Sequence, residues 1–309
     1  MKFAPAALAC LTSLLGATLL GAAPAARAMA RARPAPRAMW VWRTDGIRND
    51  PAQQRAFFKY IAAPHGDASR AIKVVFFDGM QPSDFQDPAT VAHLRAFISA
   101  AHARHVRVDF LCGDPSWATP AGQPEGLSNL SAILAYNQSS PKAARYDGFQ
   151  YDVEPYAIHQ GPDAWPSKTL EDGLVDLLSR SEAMIHASGQ HLILSQAIPR
   201  WFTGDKFDSL GHRIIDVVDE VDVMDYVNNE AHLVSDPADI LSYASARHKG
   251  VWIGVETSPL PDTPTVSYYA LGDAVMESQL AQALPTFAAQ PSFRGYAIHD
   301  YNRYSTLKP

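Results

Sequence analysis

Cysteine is nearly absent from this chain. Among 309 residues only Cys10 and Cys112 occur, and Cys10 lies in the N-terminal leader. No internal disulfide is open to the mature chain, so stability must come from a hydrophobic core. Cys112 reads as a small buried hydrophobe. An excess of positive charge is missing too. The 26 Lys and Arg face 32 Asp and Glu, a formal charge of −6, which argues against nucleic acid or an anionic membrane as partner. There is no glycine-rich phosphate loop, and no Cys-x-x-Cys or His-x-x-x-His spacing. An oxygen-rich set drawn from His299, Asp300, Asp225, Asp78 and Asp114 is the remaining metal option, and without a ligand-spacing motif we expect no metal and no cofactor.

One long apolar run does occur, Phe3 to Ala23, behind Lys2. Pro5, Thr12, Ser13 and Gly16 interrupt it, no stop-transfer pattern follows, and Ala26-Arg27-Ala28 supplies a small-x-small cleavage signal. Residues 1–28 therefore read as a signal peptide, which implies export to the periplasm or medium and no membrane insertion after cleavage. Cleavage removes two basic residues and moves the formal charge from −6 to about −8. Residues 29–37, rich in Ala, Pro and Arg, read as a disordered lead-in.

Behind it, apolar β-rich segments recur at Met39–Arg43, Ile72–Phe77, Val106–Leu111, Gly148–Val153, His191–Ala197, Val221–Tyr226, Val251–Val255 and Tyr296–His299. Most are near-continuous apolar runs, as for strands covered on both faces. Between them lie amphipathic stretches. Asp50-Pro51, Asp87-Pro88 and Asp236-Pro237 each place an N-cap Asp before a first-turn Pro. Residues 169–187 and 272–287 also carry helical patterning. Eight strand–helix units over residues 38–309 predict an α/β fold, a single-domain (β/α)8 barrel. A doubly wound open sheet is the alternative. The chain stops soon after the eighth strand, which leaves no room for a full eighth helix; the lead-in or a neighbour would cover that seam.

The most informative segment is Tyr146-Asp147-Gly148-Phe149-Gln150-Tyr151-Asp152-Val153-Glu154-Pro155. Strand alternation points Gln150, Asp152 and Glu154 one way, and Phe149, Tyr151 and Val153 the other. Two like charges on one buried face raise the pKa of one of them, which keeps an acid protonated near neutral pH. Active sites of such barrels sit at the C-terminal ends of the strands. Those ends hold Trp42 and Arg43, Asp78, Asp114 and Trp117, Asp152 and Glu154, Gln196, Asp225 and Tyr226, Glu256, and His299, Asp300 and Tyr301. Strand ends also lead into turns, where Asp is common, so Asp78-Gly79 and Asp114-Pro115 read equally well as turn residues.

The run Asp147-Gly148-Phe149-Gln150-Tyr151-Asp152-Val153-Glu154 resembles the D-G-x-D-x-D-x-E signature of glycoside hydrolase family 18, the chitinase-type enzymes, and Met224-Asp225-Tyr226 is similar to that family's M-x-Y. The resemblance implies a (β/α)8 barrel with Glu154 as the acid/base. Asp152 would orient the N-acetyl group whose carbonyl attacks the anomeric carbon, and Tyr226 would bond that group. Gln150 stands where the family has its middle Asp, Gly113 where it has Ser-x-Gly-Gly, and His299-Asp300 where it has a Trp floor. These departures describe a divergent member with another substrate.

Glu256 opens a second route. An acid/base on strand four with a nucleophilic Glu on strand seven resembles the large retaining-glycosidase clan of barrels, which needs the two carboxyls about 5–5.5 Å apart. Glu256 could equally clamp a sugar hydroxyl or pair with Arg43. Trp42, Trp117, Tyr156, Trp165, Trp201, Tyr226 and Tyr301 offer flat faces for sugar rings, Trp117 and Trp201 first, unless they serve packing. The sequence thus points to an exported glycoside hydrolase acting on a carbohydrate, N-acetylated in the first reading. A non-catalytic carbohydrate-binding barrel is the other-class alternative.

Overall fold

The computed structural model describes residues 34–161 and 163–309. Eight parallel strands close into a barrel in chain order: β1 (Arg37–Val41), β2 (Ile72–Phe77), β3 (Arg107–Cys112), β4 (Gly148–Tyr151), β5 (Ile193–Pro199), β6 (Glu220–Met224), β7 (Gly250–Glu256) and β8 (Phe293–His299). The chain therefore forms the expected (β/α)8 barrel. Helices follow the first seven strands: α1 (Pro51–Ala62), α2 (Pro88–His102), α3 (Gln123–Ser139), α4 (Lys168–Ser188), α5 (Leu210–Ile215), α6 (Ala238–Arg247) and α7 (Asp273–Ala288).

The helix starts follow local chemistry. Asp50 and Asp87 accept from the backbone amides of Ala52 and of Ala89 and Thr90, and Pro occupies the first turn of α1 and α2. The third expected cap is a correction. Asp236 ends the short helix Glu230–Ser235 and turns its carboxylate to Arg200, so α6 starts without a side-chain cap. β1 opens at buried Arg37, which pairs with Glu277 of α7 at 2.7 Å. The rest of the expected lead-in, through Arg33, and the signal-peptide segment lie outside the described residues. A short helix at Tyr301–Tyr304 fills the place of the eighth helix. Tyr301 packs edge-on against Phe57 of α1, and Tyr60 of α1 against both Tyr301 and Tyr304. The chain's own C-terminal turn thus covers the seam expected to need the lead-in or a neighbour.

The large core lies between strands and helices. Inside the barrel two halves differ. Ala38, Trp40, Val74, Phe76, Leu111, Trp252 and Ala297 form a compact apolar cluster. The other half is polar. At the N-terminal end Arg107 bonds Asp109 at 2.7 Å and Glu220 at 2.6 Å, and Trp252 donates its indole N–H to Glu220. One layer up, Gln150 donates to Asp222 at 2.6 Å. Burial is the main force pushing Asp109 up, to about 7, and it raises Asp222 well above the carboxylate range.

Candidate active site

Six of the eight strands, β1, β2, β4, β6, β7 and β8, lead into a polar or aromatic side chain at the C-terminal mouth. β4 ends at Tyr151, so Asp152 and Glu154 stand just beyond the strand rather than within it. Asp152 is fixed from below by its backbone N–H, which donates to Cys112 O at 2.8 Å. Gly113 makes this possible: a Cβ there would lie 1.9 Å from Asp152 O, so only glycine lets the end of β3 come so close. Burial raises the Asp152 pKa most, the Glu154 charge adds to it, and His299 opposes it. Asp152 is therefore held toward its protonated form in the free protein. Its Oδ1 is buried without a partner, as is Gln150 Oε1 one inward position below.

Glu154 is partly exposed and accepts a short hydrogen bond from the hydroxyl of Tyr156. Burial, then the Glu154 charge and that bond, keep the Tyr156 phenol protonated. Tyr156 also meets Trp201, centroids 5.1 Å apart, and Trp165 packs beside both at 6.4 and 6.1 Å. All three are partly exposed, so an aromatic wall rises next to the candidate acid.

Across the mouth, Glu256 and His299 are cross-strand partners on β7 and β8. His299 Nδ1 lies 2.8 Å from Glu256 Oε2, and Glu256 Oε1 accepts from the Ser258 amide at 2.5 Å. Burial pulls the Glu256 pKa up, but His299 and Ser258 outweigh it and hold this carboxylate below its ordinary value. Trp42 donates its indole N–H to His299 Nε2 at 3.0 Å. The Tyr226 ring sits 5.8 Å from that of His299. Burial first, then the charges of Glu256 and Asp152, followed by Tyr156 and Glu154, drive the Tyr226 phenol up, which places it among all four. Asp78 completes the ring; burial raises its pKa against the amides of Gly79 and Arg43.

Trp42, Asp78, Asp152, Glu154, Tyr226, Glu256 and His299 thus share one mouth, with Gln150 beneath and Trp201 in its wall. Six other expected residues do not join them. Asp114 is exposed and spends its carboxylate on the Ser116 amide and hydroxyl, the turn reading. Trp117 is 4% exposed and packs edge-on against Tyr151 in the layer under the helices, so it lines no cleft. Gln196 falls on the outward parity of β5 and donates to Val153 O. Asp225 also faces outward and is buried where Asp236 raises and Arg200 lowers its pKa, both after burial itself. Asp300 caps the Tyr301 turn through the amides of Asn302 and Arg303. Tyr301 packs on α1, away from the mouth. Glu256 pairs with His299 and not with Arg43.

The Tyr156–Glu154 bond and the Trp42–His299–Glu256 chain were not anticipated. The first had a local signal, a Tyr two residues after the acid; the second joins β1, β7 and β8 and has none. A cavity of about 1340 Å³ opens at the opposite, N-terminal end, beside His102, Arg107, Asp147 and His191. It contains none of the mouth carboxylates, and their convergence outweighs its size in locating the site. Among the described residues, no three His, Cys, Asp or Glu side chains are placed to hold a metal ion, and no helix is long and apolar enough to cross a membrane.

Several solved structures are similar to this chain. A chitinase from Chromobacterium violaceum aligns over 87% of this chain and 95% of its own, at 13% identity and a TM-score of 0.52. A plant class V chitinase mutant from Cycas revoluta, in complex with (GlcNAc)3, aligns over 87% and 96% at 12% identity and 0.52. The fold is that of the family 18 chitinases. The Bacillus cereus spore cortex-lytic enzyme SleL shares it, over 88% of this chain and 72% of its own, at 10% identity and a TM-score of 0.52. No protein-family model matches the sequence, and no curated protein matches it either. At such identities the likeness establishes the (β/α)8 barrel fold.

Proposed function

We propose that this protein is an exported glycoside hydrolase that cuts an N-acetylated polysaccharide or oligosaccharide with Glu154 as general acid/base. The observation that carries this reading is the meeting of Asp152, Glu154, Tyr156 and Tyr226 at the C-terminal mouth of a chitinase-type barrel. In the free protein Tyr156 holds one oxygen of Glu154. When substrate binds, the proton held by Asp152 passes to Glu154, whose partly exposed carboxyl delivers it to the glycosidic oxygen as the bond to the anomeric carbon breaks. Asp152, ionised by that transfer, accepts from the N–H of the substrate's acetamido group and turns its carbonyl toward the anomeric carbon. Tyr226 supplies a second hydrogen bond to that group. Water then opens the cyclic intermediate, with Glu154 accepting its proton.

Support for carbohydrate comes from the partly exposed Trp42, Tyr156, Trp165 and Trp201 and from a fold neighbour that holds (GlcNAc)3. One observation favours a second reading. Glu256 is 4% exposed and held ionised, as a covalent nucleophile on strand seven needs to be. A panel of N-acetylated polymers and their de-N-acetylated counterparts separates the two. Cleavage confined to the N-acetylated forms agrees with the substrate-assisted route, and equal cleavage of both makes Glu256 the nucleophile. Binding without cleavage of any polymer in the panel would favour a carbohydrate-binding barrel.

A further inference from the structure

Three side chains from β1, β7 and β8 form a chain across the mouth from Glu154. Trp42 Nε1–H donates to His299 Nε2 at 3.0 Å, and His299 Nδ1 lies 2.8 Å from Glu256 Oε2, close though out of line for a straight hydrogen bond. An indole N–H is a donor only. His299 Nε2 must therefore present its lone pair to Trp42, and the ring's one proton sits on Nδ1, toward the carboxylate. A single neutral tautomer serves both neighbours.

We propose that His299 is a positioning residue that locks the Trp42 indole and the Glu256 carboxylate into one sugar-binding surface, and that a proton on Nε2 releases the lock. The surface it builds rests on the sugar-site reading above. With both nitrogens protonated, two N–H groups meet head to head. Glu256 is held by the Ser258 amide and is 4% exposed, whereas Trp42 is partly exposed, so Trp42 is the member that turns away. His299 is faced by Glu256 from β7, Asp152 from the end of β4, Asp300 beside it in the chain, Tyr226 from the end of β6, and the rings of Trp40 and Trp42 from β1. Burial lowers the pKa of the ring. Glu256, Asp300 and Asp152 outweigh burial and raise it above the ordinary 6.5, while the Trp42 bond works for the neutral form. A flat apolar ring at this place in β8 could do neither job.

The test uses the full mature chain with ¹⁵N-labelled histidine and tryptophan. Long-range ¹H–¹⁵N spectra across pH 5–9, assigned with His299→Gln and Trp42→Phe, read the tautomer and the Trp42 indole together. The neutral Nδ1–H form at high pH should give way to imidazolium on acidification, and the Trp42 indole resonance should move in the same step. His299→Gln offers Trp42 an acceptor and Glu256 a donor without titrating, so its Trp42 resonance should stay fixed. A second arm measures binding of (GlcNAc)4 in Glu154→Gln, which suppresses turnover. Affinity should fall about tenfold on acidification through the same step, and that step should be lost when His299→Gln is added, leaving only the change that follows Asp152. An Nε2–H tautomer, or a Trp42 step that persists in His299→Gln, overturns the lock. No binding at any pH overturns the sugar-site reading, while the spectra still decide the lock.

Discussion

The hydroxyl of Tyr156 donates to Glu154 Oε1, across one helical turn of the loop that leaves β4. The candidate acid is thus held by a residue only two places along the chain. The same phenol leans on Trp201, so one tyrosine ties the acid to the aromatic wall. Tyr156→Phe removes the hydrogen bond and keeps the ring. A hydrogen bond to a charged group contributes about 1.5–3 kcal/mol, so kcat/KM should drop roughly tenfold to a hundredfold with little change in Tm. Steady-state kinetics beside a thermal melt check this; equal activity in the variant would mean that Glu154 needs no such partner.

The raised pKa of Asp152 makes stability depend on pH. Folding lifts this carboxyl from the ordinary 3.8 to about 7. In that window the folded chain binds more protons than the unfolded one, so stability falls as pH rises from about 4 to about 7. Asp109 shifts in the same direction. Asp152→Asn keeps the shape, cannot ionise, and should flatten part of the slope; with no proton to pass to Glu154 and no charge to set beside the reacting acetamido group, it should also lower kcat. Melting temperatures of both proteins across pH 4–8 measure this. A variant with an unchanged slope would show that folding does not raise the Asp152 pKa.

Arg107 stands at the other end of the barrel and has no part in the chemistry. It neutralises buried Asp109 and nearly buried Glu220. Arg107→Met leaves two carboxylates without their cation, a loss of about 3–5 kcal/mol. The expected outcome is a large fall in Tm with unchanged kcat at low temperature. Denaturant titration and kinetics on the same preparation separate the two effects, and a fall in kcat without a fall in stability would contradict the division of labour between barrel ends.

The barrel was legible because its strands are near-continuous apolar runs and Asp50-Pro51 and Asp87-Pro88 mark helix starts by local chemistry alone. Asp152 and Glu154 were legible for the same reason, since strand alternation fixes their common side. Reading stopped where direction depends on the bend after a strand. Asp225 and Tyr226 are adjacent, but only Tyr226 turns inward; Gln196 lies in the middle of β5 and Trp117 in the turn after β3, and both face the helices. Asp114 and Asp300 are residues of the kind a site needs and are spent on turns. The Trp42–His299–Glu256 chain was out of reach because its members are more than 40 residues apart or at opposite ends of the sequence, and only barrel closure between β8 and β1 brings them together.

The most direct test of the central claim is reducing-end release by the mature protein and by Glu154→Gln from the same N-acetylated polysaccharides. General acid catalysis contributes about 10²–10⁴-fold, so the account predicts release by the parent protein and a loss of that size in the variant, with polymer binding kept. Release that survives intact in Glu154→Gln would contradict the assignment of Glu154 as the acid.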